Sequence, residues 1–191
     1  MVLLVVVVVA GGVGWAVRDQ KGVGEGQEVV VDQPYKSEEL SVDGTMMLTM
    51  RQEGQKDRPQ TYSFWVKNIS GKDKDTTERL IFTKVVRSNE AMAIHHNSWS
   101  PNNKYVLLEE KDGSGQIKFF VFKVSGEAFA DGEPYMNVEA VFDQKKTGWS
   151  LREVTGWDGE ALVNITTRGD EGKNGPGYWL DMGSRSLMQH R

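Results

Sequence analysis

Two short segments, KYVLLEE (104–110) and IKFFVFKV (117–124), are apolar on both sides of an extended chain. Val106 and Leu108 point one way while Tyr105 and Leu107 point the other. Phe120 and Phe122 oppose Phe119 and Val121 in the same manner. In TMMLTM (45–50), Met46, Leu48 and Met50 share a face and Met47 lies opposite. A sheet with one wet face alternates apolar and polar residues. These segments do not, so their strands must be covered on both faces. Burying four such side chains per strand contributes roughly 6–12 kcal/mol before entropy is subtracted. A lone hairpin could not retain that stabilisation, so neighbouring units have to supply the cover.

The chain repeats weakly from residue 39 onward. SVDGTMMLTM (41–50), SPNNKYVLLE (100–109) and GWDGEALVNI (156–165) each place a turn signal before an apolar run. A second apolar run follows in each copy: YSFWVKNISG (62–71), IKFFVFKVSG (117–126) and GYWLDMGS (177–184). Aligning Asp43, Asn102 and Asp158 makes three related units, the signature of stacked supersecondary structure. Asp43-Gly44, Asn102-Asn103 and Asp158-Gly159 tolerate the positive φ of a tight turn. Pro101 presets φ, and Ser100 can bond back to the local backbone. The runs are rich in β-branched and aromatic residues, and no helical stripe persists after residue 38. The expected fold class is all-β, an antiparallel meander of stacked, blade-like sheets.

SWSPNNKYVLLEE (98–110) followed by IKFFVFKV resembles the repeat of TolB-type β-propellers, whose blades typically read Trp-Ser-Pro-Asp-Gly-Lys before a hydrophobic strand. Trp99, Ser100, Pro101 and Lys104 match that pattern by residue, with Asn102 and Asn103 in place of Asp-Gly. The third copy keeps Trp157, Asp158 and Gly159, and the first keeps Ser41, Asp43 and Gly44. The resemblance implies a partial or atypical propeller over residues 39–191, used for protein contact or as a gate ahead of a hydrolase, with no catalytic residue in the repeats. A closed propeller needs at least four blades, and three units are legible. The stack is therefore open, or its missing edge comes from another chain, or a degenerate unit is hidden.

The N-terminus carries a different signal. From Val2 to Val17 there is no charged residue, and Arg18 and Lys21 follow at once. A run of this length is near the lower limit for crossing a bilayer, roughly 17–25 residues. The first expectation is a single transmembrane helix over residues 1–17, with a cleaved signal peptide as the alternative. Residues 18–38, rich in glycine and charge, read as a linker. An extracytoplasmic orientation requires basic residues ahead of Met1, because Arg18 and Lys21 alone would hold the C-terminal side in the cytoplasm.

Composition narrows the functional classes. The net charge of −4 is spread evenly, without the basic stripe that a phosphate backbone requires. Nucleic acid is therefore not an expected partner. The absence of cysteine removes disulfides, thiolate metal sites and thiol nucleophiles. Adjacent His95 and His96 would point to opposite faces of a strand and could not easily share one metal ion. No cofactor, metal site or catalytic motif is expected. The long, charged loops 51–60, 109–116 and 167–177 should emerge on one rim, where Asp112, Asp170 and Glu171 are the candidate binding acids. The chain thus reads as a membrane-tethered, extracytoplasmic module that binds a protein partner, on the cell surface or in the periplasm. The alternative is a carboxylate-dependent, glycosidase-like hydrolase using those rim acids.

Overall fold

The computed structural model describes residues 5–9, 12–16, 35–55, 57–71, 77–145, 147–169 and 172–190. The chain divides into two compact units, Met1–Val31 and Asp32–Arg191. In the first, strands β1 (Val5–Val9) and β2 (Gly12–Ala16) pair antiparallel, with Val5 opposite Ala16 and Val9 opposite Gly12. The helix expected over residues 1–17 is not formed by the described residues of that stretch, Val5–Val9 and Gly12–Ala16, which are strands. Consecutive valines are stiff at χ1 and favour an extended chain over a helix. No helix among the described residues is long and apolar enough to cross a membrane.

Among its described residues the second unit holds three four-stranded antiparallel sheets, each a simple meander. Sheet 1 comprises β3 (Tyr35–Leu40), β4 (Met46–Glu53), β5 (Gln60–Asn68) and β6 (Arg79–Val86). Sheet 2 comprises β7 (Ala91–Trp99), β8 (Tyr105–Lys111), β9 (Ile117–Lys123) and β10 (Tyr135–Asn137). One helix, α1 (Val138–Gln144), follows, capped by Asn137 Oδ1, which accepts the Ala140 N–H at 2.9 Å. Sheet 3 comprises β11 (Ser150–Trp157), β12 (Leu162–Arg168), β13 (Gly177–Asp181) and β14 (Leu187–His190). The hairpins visible in the sequence are the two middle strands of each sheet. Strand β3 begins at Tyr35, inside the segment expected to be a linker, while Val29–Val31 lies outside the described residues.

The middle sheet has two apolar faces. Val106, Leu108, Phe120 and Phe122 join Leu48, Met50, Phe64 and Val66 of sheet 1 in one core. Leu107, Phe119 and Val121 join Val163, Ile165, Leu180 and helix residues Val138 and Phe142 in the other. Leu107 and Leu108, neighbours in sequence, are both fully buried, each in a different core. The flanking sheets are one-sided. In β5, Tyr62, Phe64 and Val66 are buried and alternate with half-buried Ser63, Trp65 and Lys67. In β12, Val163, Ile165 and Thr167 alternate with half-buried Leu162, Asn164 and Thr166. Apolar cover on both faces therefore holds for sheet 2 alone; on the outer face of sheet 1, Thr49 is buried as well, at 2% exposure, with its Oγ1 donating to Glu38 Oε1 at 3.4 Å.

The turns joining the first and second strands share one construction. Ser41 Oγ accepts the Met46 N–H at 2.9 Å and Ser100 Oγ accepts the Tyr105 N–H at 2.9 Å. Asp43 Oδ1 takes the Thr45 N–H at 3.0 Å, and Asn102 Oδ1 takes the Lys104 N–H at 3.1 Å. Gly44 (φ 68°) and Asn103 (φ 57°) supply the left-handed residue. The third turn is shorter. Its closing bond runs from Asp158 N to Leu162 O at 2.8 Å, where the others run from Ser41 N to Met46 O and from Ser100 N to Tyr105 O. This corrects the sequence alignment: Asp158 corresponds to Ser41 and Ser100, and its Oδ2 accepts the Trp179 Nε1–H at 2.7 Å instead of shaping its own turn.

Candidate functional site

The strands that open the three sheets are tied to one another by repeated contacts. Trp99, at the end of β7, donates its Nε1–H to Glu39 O of β3 at 3.2 Å. Trp157, at the end of β11, donates to Ser98 O of β7 at 2.8 Å and stacks its ring on Tyr105 at 5.8 Å. Asn103 Nδ2 reaches Asp43 Oδ2 at 2.9 Å, from the second turn to the first. The signature residues Trp99, Ser100, Pro101, Asn102, Asn103, Asp43, Gly44, Trp157, Asp158 and Gly159 thus form turns and sheet-to-sheet clasps, not a ligand site.

A cavity of about 360 Å³ opens between sheets 2 and 3, beside the β8–β9 turn and the end of β12. Its floor is His95 on β7, only 1% exposed. The β7–β8 register shifts between Ile94 and Trp99. Beside that irregularity the His95 and His96 rings lie 4.1 Å apart, tilted by 33°, instead of on opposite faces. The strict alternation assumed from sequence is corrected here, because an irregular register lets successive side chains share a side.

His95 is fully committed. Its Nδ1 accepts the Asn97 N–H at 3.0 Å, so that nitrogen carries the lone pair. Its Nε2 therefore carries the proton and donates to Val154 O of sheet 3 at 2.9 Å. Burial pushes the His95 pKa below the ordinary histidine range, which keeps the ring neutral. Ligand atoms of His95, His96 and Glu109 lie within 4.8 Å of one another, a spacing that suits a metal ion. The hydrogen bonds argue otherwise. A metal on Nε2 would demand an imidazolate, or the loss of the Asn97 bond. The trio offers two ready ligands, too few for a closed site.

Around His95 stand carboxylates from three elements. Glu109 on β8 holds Oε1 3.6 Å from His95 Nε2. Burial raises its pKa and the charge of Glu153 on β11 adds to the shift, while the nearby His96 opposes it. Glu139, at the start of α1, accepts the Phe119 N–H on Oε2 at 3.2 Å. Its Oε1 is buried without a hydrogen-bond partner among the described residues. Burial pushes the Glu139 pKa up as well. Arg168, at the end of β12, and Arg152 complete the polar wall, and Arg152 Nη1 donates to Asn174 Oδ1 at 2.7 Å. The cavity therefore joins partly desolvated carboxylates to guanidinium donors across two sheets. Such a wall can hold a polar ligand by complementary charge, or stage proton transfer at a raised carboxyl.

Sequence reasoning pointed to the rim loops 109–116 and 167–177, and Glu109, Gln116 and Arg168 from those stretches do line the cavity. The acids it named behave differently. Asp112 shapes its own turn, accepting Ser114 Oγ–H at 2.6 Å, Ser114 N–H at 2.9 Å and Gln116 N–H at 3.1 Å. The Ser114 hydroxyl leads in holding its pKa down at about 2. Asp170 and Glu171 lie outside the described residues. Glu139 and Glu153 carry no signal in the sequence, because only the packing of α1 and β11 against sheet 2 brings them to the cavity.

No family model and no curated protein match the chain. Among solved structures, a puromycin hydrolase mutant complexed with PGG matches at 10% identity and a TM-score of 0.35, too low to carry an argument. That match covers 81% of this chain, which spans 28% of the length of the hydrolase chain.

Proposed function

We propose that residues 39–191 form a partial, TolB-like propeller of three blades that serves as a binding module, taking a polar loop of a partner protein into the cavity between the second and third blades. The observation that carries this reading is the cavity itself, a 360 Å³ opening lined by residues of both blades. The Trp-Ser-Pro-Asn-Asn-Lys turn supports the blade assignment. The charge-free run from Val2 to Val17, with Trp15 near its end, supports association of the N-terminus with a membrane. Mixed charge along the wall gives a partner loop orientation and selectivity more than raw affinity.

Site-specific photo-crosslinking tests the assignment in cells. A photoreactive residue at Gln116, in the cavity wall, should capture a discrete partner band, and one at Ser63, on the far face of sheet 1, should not. Capture from Ser63 alone, or from neither position, would sink the reading.

A second reading is favoured by the raised Glu109 and Glu139 carboxyls: a carboxylate-dependent hydrolase that uses one of them as general acid. Either Glu109→Gln or Glu139→Gln should then abolish turnover on a glycan panel that the unaltered protein cleaves. Absence of cleavage by the unaltered protein eliminates the hydrolase.

A further inference from the structure

The two seams beside sheet 2 are filled differently. Between sheets 2 and 3 the chain passes through α1, and Phe142 of that helix meets Tyr178 of β13 edge to face, with ring centroids 5.6 Å apart at 78°. Between sheets 1 and 2 it crosses by residues 87–90, a tight turn closed by a bond from Glu90 N to Arg87 O at 3.0 Å. The turn lends this seam no filler, and a cavity of about 240 Å³ remains where β6 faces β9 and β10. It lies on the other side of sheet 2 from the polar cavity. Glu110 and Phe120 line it, whereas their neighbours Glu109 and Phe119 line the polar one.

The wall is aromatic. Half-buried Phe82 on β6, Phe120 on β9 and Tyr135 on β10 surround the space, together with buried Met92 on β7. Tyr135 stands edge to face against both other rings, at 5.8 Å and 73° from Phe82 and at 5.3 Å and 90° from Phe120. Such an array favours one more ring of the same kind over an aliphatic group of equal size. The polar end of the cavity is a single ion pair, Lys84 of β6 with Glu110 of β8. The Glu110 side chain is 10% exposed and that of Lys84 37%, so the ammonium is the member open to a ligand. An ammonium carries three N–H donors, and Glu110 Oε2 takes one of them. The pair balances its own charge. An incoming anion would be repelled by the buried Glu110, and an incoming cation by Lys84, so the chemistry selects a neutral ligand.

We infer that the cavity between sheets 1 and 2 binds a small neutral aromatic molecule with one ring and one hydrogen-bonding oxygen, a simple phenol being the type. The ring lies against Phe120 and Tyr135, and the oxygen accepts from Lys84 Nζ. The size agrees. An apolar cavity of about 150 Å³ takes benzene, and drug-sized ligands need roughly 300–1,000 Å³. This site stands apart from the partner-binding reading of the polar cavity and does not rest on it.

Met92, only 4% exposed in the cavity wall, is a local reporter. In the intact chain labelled at its methionine methyl groups, p-cresol should shift the Met92 NMR signal saturably at millimolar concentration or below. The signal of Met188, 42% exposed on the third sheet, should stay in place. Benzoate and benzylamine should bind at least roughly tenfold more weakly than p-cresol, and cyclohexanol several-fold more weakly. Phe82→Trp enlarges the wall into the space and should remove the Met92 response. Tyr135→Leu, which keeps an apolar wall but takes away the edge-to-face ring, should weaken binding several-fold and decides the matter if Phe82→Trp does not fold. The absence of a saturable Met92 shift would overturn the site. So would an affinity for p-cresol that Tyr135→Leu leaves unchanged. Charged probes that bind as well as p-cresol would overturn the ligand class.

Discussion

The indole Nε1–H of Trp157 meets the backbone oxygen of Ser98 at 2.8 Å, and the indole of Trp99 meets Glu39 O at 3.2 Å. The two bonds bind the third sheet to the second and the second to the first. Trp157→Phe keeps most of the ring but leaves the Ser98 carbonyl without this donor. A loss of about 1 kcal/mol is expected, read as a lower urea midpoint with an unchanged slope. Trp99→Ala removes a side chain only 1% exposed and should cost about 3–5 kcal/mol. Equal effects from the two substitutions would contradict the distinction between clasp and core.

Leu107 and Leu108 test the two-faced middle sheet. Both are 0% exposed, in different cores. Leu107→Ala and Leu108→Ala should each cost about 2–5 kcal/mol in urea unfolding. Met47→Ala, at the position of Val106 but on the free face of sheet 1, should cost less than about 1.5 kcal/mol. A one-sided middle sheet would show one of the two leucines to be nearly silent.

Gly156 sits in β11 at φ 112°, and a Cβ there would collide with the Asn97 side chain. Gly156→Ala combines that clash with a backbone conformation alanine resists, so it should lower the melting temperature by several degrees. Gly156→Ala together with Asn97→Ala should recover part of the loss, which a purely conformational cost would not allow.

The cavity groups make opposing contributions to stability as pH changes. The Glu139 pKa is raised in the fold by burial, so its contribution is present below the unfolded carboxyl value and is lost as pH rises through the folded one. Glu139→Gln, whose amide oxygen can still accept the Phe119 N–H, should raise the melting temperature at pH 7.5 and leave it unchanged at pH 4. The His95 pKa is lowered, so its contribution is present above the ordinary value of about 6.5 and is lost as pH falls through the folded one. In ¹⁵N spectra at pH 7, His95 should show the neutral Nε2–H tautomer. An imidazolium signal there would refute the assignment.

Asp43 joins the first turn to the second. Its pKa is held well below the usual carboxylate range, first by the Ser41 hydroxyl and then by the Asn103 amide. Its contribution is present above the unfolded carboxyl value and is lost as pH falls through the folded one. Asn103→Ala should move the Asp43 titration upward in carboxyl-detected NMR, toward its ordinary range. A titration that stays put would show that the bond to Asn103 does not form.

The two-sided strands were legible because burial on both faces leaves no polar alternation, and that pattern is written one residue at a time. The turns were legible for the same reason: Asp-Gly, Asn-Asn and the serine before them act within five residues. The apolar N-terminus was misread as helix because apolarity outweighed the β-preference of its valines. The cavity was not legible. His95 and His96 share a side only because the β7–β8 register shifts.

By itself the sequence determined the two middle strands of each sheet, the first two of the turns ahead of them, and the apolarity of β8 and β9 on both faces. These are local properties of periodicity and backbone sterics. Only the tertiary structure decided that the outer sheets are one-sided, and that Glu109, Glu139, Glu153 and Arg168 meet around a neutral His95. A cavity is made by residues distant in the chain, and their meeting depends on packing and register that no short stretch encodes.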